Sequence, residues 1–333
     1  MKGKRIISVS SRKAVYHLEL ERKISVIKGN SGTGKSSLIR LISEYLEYGK
    51  QSGVKISADS SVSFAVLTNT SDWPEILSSV HDTILFIDED VRYLYSESFQ
   101  KQLWKADCYA VIVSRSGLFT ALPYSIFGIY ELVTEKKGVN TTTTMYRLYK
   151  EKSENSVFDL ILTEDSNSGF EMAKYAFEQE SSEVVSAGGN ASVFSVLQKL
   201  TQTYGHICVN VDGAAFGSFI EPVLKLAEVR GNIRISAPES FEYVLLNLDE
   251  IKRHLSNDQG ELIRTYDFCD VQEYSSWEQY YEELLKQVTE KNFDFTYGKR
   301  KLNPWFLNRN CAEQYVNILF KCFVTRRIES DNK

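Results

Sequence analysis

The sequence predicts an α/β protein made of two consecutive parallel sheets with helices, the first with accessory antiparallel strands, the second smaller and followed by a helical C-terminus. Three observations predict it. Short apolar runs alternate with stretches of helical periodicity on both sides of residue 150, the pattern of parallel sheets covered by helices. A polar, turn-rich segment, Lys150 to Ser156 (KEKSENS), interrupts that alternation. The charge also changes sign there: residues 1–150 hold 20 Lys and Arg against 15 Asp and Glu, and residues 151–333 hold 19 against 29. The expected domains are therefore 1–150, 156–250 and a mainly helical extension over 251–333.

In chain order, Arg5 to Val9 and Val15 to Leu20 read as paired strands. Lys23 to Lys28 (KISVIK) is a short apolar strand running into a Gly-rich turn, and Lys35 to Tyr48 repeats apolar residues at Leu38, Ile39, Leu41, Ile42, Tyr45 and Leu46, the spacing of an amphipathic helix. Val62 to Leu67, Thr83 to Ile87 and Tyr109 to Val113 follow as strands, with helices near Trp73 to Val80 and Ser98 to Lys105 between them. Ile129 to Val133 and Thr142 to Tyr149 read as a second accessory pair. Beyond the linker the strands are Phe158 to Thr163, Glu183 to Ser186, His206 to Val211 and Asn232 to Ser236, separated by helices over Gly169 to Phe177, Ala191 to Leu200 and Phe219 to Val229. YYEELLKQV and EQYVNILFKCF have helical periodicity.

Composition bounds the class. With 333 residues, 43% apolar and 25% charged, the chain can bury a large core, and 5 Pro with 18 Gly exclude a fibrous or low-complexity chain. No apolar run approaches the roughly 18 residues of a membrane span, and MKGKRIISVSS is too short in apolar residues for a secretory signal, so the expected location is the cytoplasm, with no membrane partner. The 5 cysteines stand at no CxxC spacing, which points to reduced, buried thiols, and the 4 histidines have no zinc-site spacing.

Gly29-Asn30-Ser31-Gly32-Thr33-Gly34-Lys35-Ser36 fits GxxxxGK[ST] between a strand and a helix, the context this motif requires. Its glycines let successive backbone N–H groups curl around phosphate, and the helix that follows presents its positive end. Lys35 supplies charge to the β- and γ-phosphates, Ser36 is placed for Mg²⁺, and Ser37 continues into the helix beside the loop. At the end of TILFI, Asp88-Glu89-Asp90 delivers carboxylates to the sheet edge where ligands bind. Asp88 is assigned to Mg²⁺ and Glu89 to the attacking water, while Asp90 is read as solvated. Arg115, after YAVIV, could sense the γ-phosphate or make an ion pair. Asn69-Thr70-Ser71-Asp72 lacks the Lys of a guanine-reading motif and is read as a loop, which favours ATP over GTP.

With these residues in view, the first 150 residues resemble a compact ABC-type or AAA-type P-loop ATPase of the additional-strand, catalytic-glutamate class. The resemblance rests on the entering strands and the Asp88-Glu89 pair, and it implies ATP and Mg²⁺ as cofactors. Only 53 positions separate Lys35 from Asp88, which leaves no room for the transporter signature loop, and Ser186 to Asn190 only echoes that signature. Dimerisation is left open.

In the second half Glu164 closes FDLILT, Gly188-Gly189 follow the next strand, Asp212 closes HICVNV and Glu239 follows NIRIS. This order resembles a TOPRIM domain, as in topoisomerases, primases and OLD-family nucleases. The resemblance implies metal binding by Glu164 and Asp212, with Ala214 standing where the family has a second Asp, and Asp165 or Glu239 as compensating acids. Lys299-Arg300-Lys301, with Tyr297 and Trp305 nearby, could grip nucleic acid or form a solvated face.

The expected function is an ATP-hydrolysing protein whose nucleotide state controls a TOPRIM-like module directed at DNA or RNA, an ATPase and nuclease arrangement similar to OLD-family proteins. The alternatives are an ATP-dependent switch whose second domain binds a protein or DNA without catalysis, and a small-molecule kinase. A defence or mobile-element role is the corresponding biological expectation.

Overall fold

The computed structural model describes residues 1–29, 32–69, 72–178, 181–255, 262–290 and 295–327. The chain is mixed α/β and forms two compact units. The first comprises Met1–Leu148 with Arg264–Ser276, and the second Tyr149–Ile263 with Trp277–Lys333. The boundary between them near residue 150 falls at Leu148 and Tyr149, beside the polar segment Lys150 to Ser156. Residues 251–333 are not a separate extension: one short stretch returns to the first unit and the rest belongs to the second.

In the first unit the strands are β1 (Arg5–Ser10), β2 (Ala14–Leu20), β3 (Ile24–Lys28), β4 (Lys55–Ala58), β5 (Ser63–Leu67), β6 (Thr83–Ile87), β7 (Cys108–Val113), β8 (Ile129–Lys137) and β9 (Asn140–Arg147), and the helices are α1 (Lys35–Tyr48), α2 (Trp73–Ser79) and α3 (Glu97–Lys105). They form one nine-stranded sheet of order β4-β1-β2-β9-β8-β3-β7-β6-β5. The run from β8 to β5 is entirely parallel. Every residue of β3, β6 and β7 is buried, as expected of strands covered on both faces. The accessory strands extend the sheet beyond β8 through the antiparallel pairs β8–β9, β1–β2 and β1–β4, with β2 parallel to β9.

Leu38, Ile39, Leu41 and Ile42 of α1 pack in one core with Ile27, Phe86 and Val111 of the parallel strands and with Ile7 and Leu18 of the accessory pair. Arg264–Ser276 is tied in by main-chain bonds: Gly3 N donates to Tyr266 O at 2.6 Å and Val271 N to Met1 O at 2.8 Å. The buried Lys23 amine adds a bond to Val271 O at 2.9 Å and another to Ala106 O.

The second unit has β10 (Tyr149–Lys152), β11 (Leu160–Thr163), β12 (Glu183–Ser186), β13 (Ile207–Asn210), β14 (Ile233–Ser236) and β15 (Phe323–Arg326), in the order β10-β15-β14-β13-β11-β12. Its helices are α4 (Ser168–Glu178), α5 (Asn190–Leu200), α6 (Ile220–Arg230), α7 (Phe241–Leu246), α8 (Asp249–Lys252), α9 (Trp277–Thr289) and α10 (Arg309–Leu319). The four strands β14, β13, β11 and β12 are parallel. β12 lies on one side of β11 and β13 on the other, so the chain reverses its direction of travel across the sheet at β11. Two elements depart from the expected ones. The linker forms β10, and the C-terminus contributes β15, which pairs antiparallel with β10 from Tyr149↔Arg326 to Lys152↔Phe323. Among the described residues, no helix is long and apolar enough to cross a membrane.

Candidate functional site

The first candidate site lies at the C-terminal edge of the parallel strands of unit one. β3 ends at Lys28, and the loop then turns through Gly29 (φ +141°), Gly32 (φ +88°) and Gly34 (φ +93°), conformations that side chains rarely adopt. Asn30 and Ser31 lie outside the described residues. Gly34 is the N-cap of α1 and has no side chain to cap it, and no acidic residue stands in the first turn. Exposed Ser36 and Ser37 occupy that first turn.

Lys35 is only 6% exposed. Its amine donates to Gly29 O at 2.7 Å and to Thr33 Oγ1 at 2.9 Å, bonds within the loop itself. Burial lowers its pKa, the charge of Glu89 opposes that shift and the charge of Arg115 adds to it. Lys35, Glu89 and Arg115 therefore share one electrostatic neighbourhood. Tyr16 of β2 braces the loop from the accessory sheet: its hydroxyl donates to Gly34 O at 3.1 Å, and a Cβ on Gly34 would stand 3.1 Å from that hydroxyl.

Asp88 and Glu89 follow β6 directly. Asp88 Oδ1 accepts from Glu89 N at 2.7 Å, which fixes the turn. Burial raises the Asp88 pKa, that N–H bond opposes it, and the neighbouring Asp90 and Glu89 charges add to it. Arg115, which follows β7, pairs through Nε with Glu89 Oε1 at 3.0 Å. Ser114 is buried and accepts from Gly117 N at 3.1 Å, a turn-forming role. Asn69 ties the end of β5 to the Asp90 loop, donating to Asp90 O at 2.8 Å and accepting from Arg92 N at 2.7 Å; Thr70 and Ser71 lie outside the described residues. Sequence reasoning passed over Lys28, a buried cation beside the loop, whose Cε would stand 2.6 Å from a Cβ on Gly117.

The chain matches no protein-family model and no curated protein. What the site can do therefore rests on its own geometry.

The second candidate site is at the point where the chain reverses across the sheet of unit two. Glu164 follows β11 and Asp212 follows β13, and the two strands are neighbours, so the acids are brought together: Glu164 Oε2 accepts from Asp212 N at 3.1 Å. Asp212 Oδ1 accepts from Phe241 N at 3.0 Å, at the start of α7. Burial pushes the Glu164 pKa up to about 7, with the Asp212 N–H opposing and the charges of Glu278 and Asp165 adding. Burial also holds Asp212 well above the ordinary carboxylate range, aided first by the charge of Glu164. The adjoining cavity, bordered by Asn210, Asp165 and Tyr315, has a volume of about 20 Å³, room for a single water-sized body.

These residues do not fit a divalent-metal centre of the expected kind. Among the described residues no three His, Cys, Asp or Glu side chains group to hold a metal ion. Ala214 is buried, its N–H bonded to Glu239 O at 2.9 Å. Asp165, one expected substitute, uses Oδ2 to accept from Asn167 N at 3.2 Å just before α4. No local spacing signals Glu278 on α9, whose charge reaches both Glu164 and Asp212. Lys299 is bound rather than free: its amine contacts Glu282 at 2.6 Å and Glu278 at 3.5 Å. Tyr297 donates to buried Glu242 at 2.6 Å and Trp305 packs on Phe295 at 4.9 Å, so both serve packing.

Proposed function

We propose that the chain binds ATP with Mg²⁺ at the glycine loop and hydrolyses its terminal phosphoanhydride, as a P-loop ATPase of the additional-strand, catalytic-glutamate type. One observation carries this reading: β7 intervenes between β3 and β6, as the additional strand does in that class, and the ends of all three strands supply polar groups at one edge. The triphosphate lies along the first-turn N–H groups of α1, and Lys35 exchanges Gly29 O and Thr33 Oγ1 for β- and γ-phosphate oxygens. Ser36 and Asp88 would hold Mg²⁺, a hard ion suited to their oxygens, which supplies charge to the phosphate oxygens when bound. Glu89 orients the attacking water and takes its proton as the bond from the γ-phosphorus to the bridging oxygen breaks and ADP leaves. Arg115, drawn off Glu89 by the phosphate charge, stabilises the transferring group.

Turnover by Glu89→Gln and Lys35→Ala tests this. Glu89→Gln is expected to retain ATP without releasing phosphate, and Lys35→Ala to lose ATP. Unchanged hydrolysis in either variant overturns the assigned roles. Phosphate appearing on an added small molecule instead of in solution favours a kinase.

For the second unit, the strand reversal with Glu164 and Asp212 at its edge supports a TOPRIM-like fold. The engagement of both acids by main-chain N–H groups, with Ala214 in place of the further Asp, favours a module that binds nucleic acid or a partner protein over one that cuts a phosphodiester.

A further inference from the structure

A groove of about 540 Å³ adjoins the glycine loop on the side of the accessory strands, a size suited to a small-molecule moiety. Its wall includes Gly32, Gly34 and Ser37 of the loop and α1, and none of Lys35, Ser36, Asp88, Glu89 or Arg115. On the reading above, the γ end of a triphosphate points to that second group. The α end, and whatever is joined to it, leaves by the first, into the groove.

The polar groups of the groove are largely committed to the protein. Thr134 and Thr143 bond each other at 2.9 Å, and the Ser52 hydroxyl donates to Gly49 O at 2.6 Å. Ser11 Oγ is shared between the N–H and carbonyl of Ala14. The Tyr16 hydroxyl is held by Gly34 and its ring is buried, so it offers no free face. Arg40 is paired with Glu44. Of the other lining side chains, Ser37 offers a single exposed hydroxyl, and Arg12, Lys13 and Lys136 are exposed cations that, among the described residues, have no acidic partner. Reading a base edge needs fixed donors and acceptors together, whereas long cations only donate and can lie against the π-face of any base.

We propose that this groove receives the ribose and base of the triphosphate and holds them without reading the base edge, so that purine and pyrimidine triphosphates bind alike. The inference rests on the nucleotide reading of the glycine loop and adds that recognition resides in the phosphates and in Arg12, Lys13 and Lys136. ATP is then the substrate by supply rather than by selection.

The test is calorimetric titration of the full chain with the Mg²⁺ complexes of ATP, GTP, CTP, UTP and inorganic tripolyphosphate, at about 0.15 M salt to screen distant charge. The four nucleotides are expected to agree in Kd within about fivefold, whereas a site with edge-reading hydrogen bonds discriminates by about 100-fold or more. The double variant Arg12→Ala/Lys13→Ala is expected to weaken all four by about five- to tenfold and tripolyphosphate by no more than about twofold. A strong preference for one base, or an equal loss of nucleotide and tripolyphosphate affinity in the double variant, overturns the groove assignment while leaving the loop in place. Absence of binding by tripolyphosphate and nucleotides alike overturns the loop reading, and the groove with it.

Discussion

Glu89 Oε1 stands 3.0 Å from Arg115 Nε, joining the carboxylate that closes β6 to the guanidinium that follows the neighbouring strand β7. The Arg115 side chain is 69% exposed, so the pair contributes about 0.5 kcal/mol at most to stability. Arg115→Ala is therefore expected to leave the melting temperature almost unchanged and to lower kcat for ATP by about tenfold or more, through lost stabilisation of phosphate charge. Equal kcat in variant and parent would restrict Arg115 to the ion pair.

Tyr16→Phe removes the hydroxyl that braces Gly34 and also bonds the Ser37 side chain. The expected cost is about 1 kcal/mol of stability together with a several-fold rise in the Kd for ATP. A loss of stability without any change in nucleotide affinity would show that the brace serves folding alone.

Glu164 and Asp212 give the second unit a pH dependence of definite sign. Glu164 titrates near 7 in the folded chain, above its ordinary value of 4.5, so the folded state binds more protons than the unfolded one between those values. Its contribution to stability is full below the ordinary value and is lost as pH rises through 7. Asp212→Asn removes a neighbouring charge and keeps an acceptor for Phe241 N. It is expected to raise the melting temperature at about pH 8 by roughly 3–6 °C and to flatten the pH profile. A variant less stable than the parent at that pH contradicts the assigned repulsion.

Gly213 stands between Asp212 and Ala214 with no room for a side chain. A Cβ there would meet Ala237 O at 2.7 Å and Pro238 O at 2.9 Å, main-chain atoms that cannot swing aside. Gly213→Ala is expected to cost about 2 kcal/mol or more, seen as an earlier transition in thermal or urea melting. An unchanged transition would mean that the backbone around residue 237 yields readily.

Supercoiled plasmid incubated with the protein and Mg²⁺ or Mn²⁺ is expected to remain intact, with and without ATP. Nicking that disappears in Glu164→Ala would restore the nuclease reading of the second unit.

What the sequence made legible was local. The strand, loop and helix from Ile24 to Tyr48, the strand over Thr83 to Ile87 and the strand over Glu183 to Ser186 show in their own periodicity, and each is found. β4 and β15 were missed because each is only 4 residues long, is partly exposed and is fixed by a distant partner: β4 by β1, and β15 by β10. The charge of Glu278 reaches the acids after β11 and β13 from far along the chain, and Lys299 pairs with Glu278 from farther still, a proximity no local spacing encodes. The residues of the glycine loop announced themselves because a single turn supplies them all. The pairing of Glu89 with Arg115 was left undecided because it depends on two strand ends becoming neighbours.

The return of Arg264–Ser276 to the first unit has a consequence for biosynthesis. Val271 and Tyr266 supply partners to Met1, Gly3 and Lys23, at the opposite end of the same unit. A nascent chain emerging N-terminus first therefore exposes most of that unit, glycine loop included, long before its last segment leaves the ribosome. Its final closure waits on translation of the intervening second-unit residues, so a ribosome stalled within them holds an unfinished first unit.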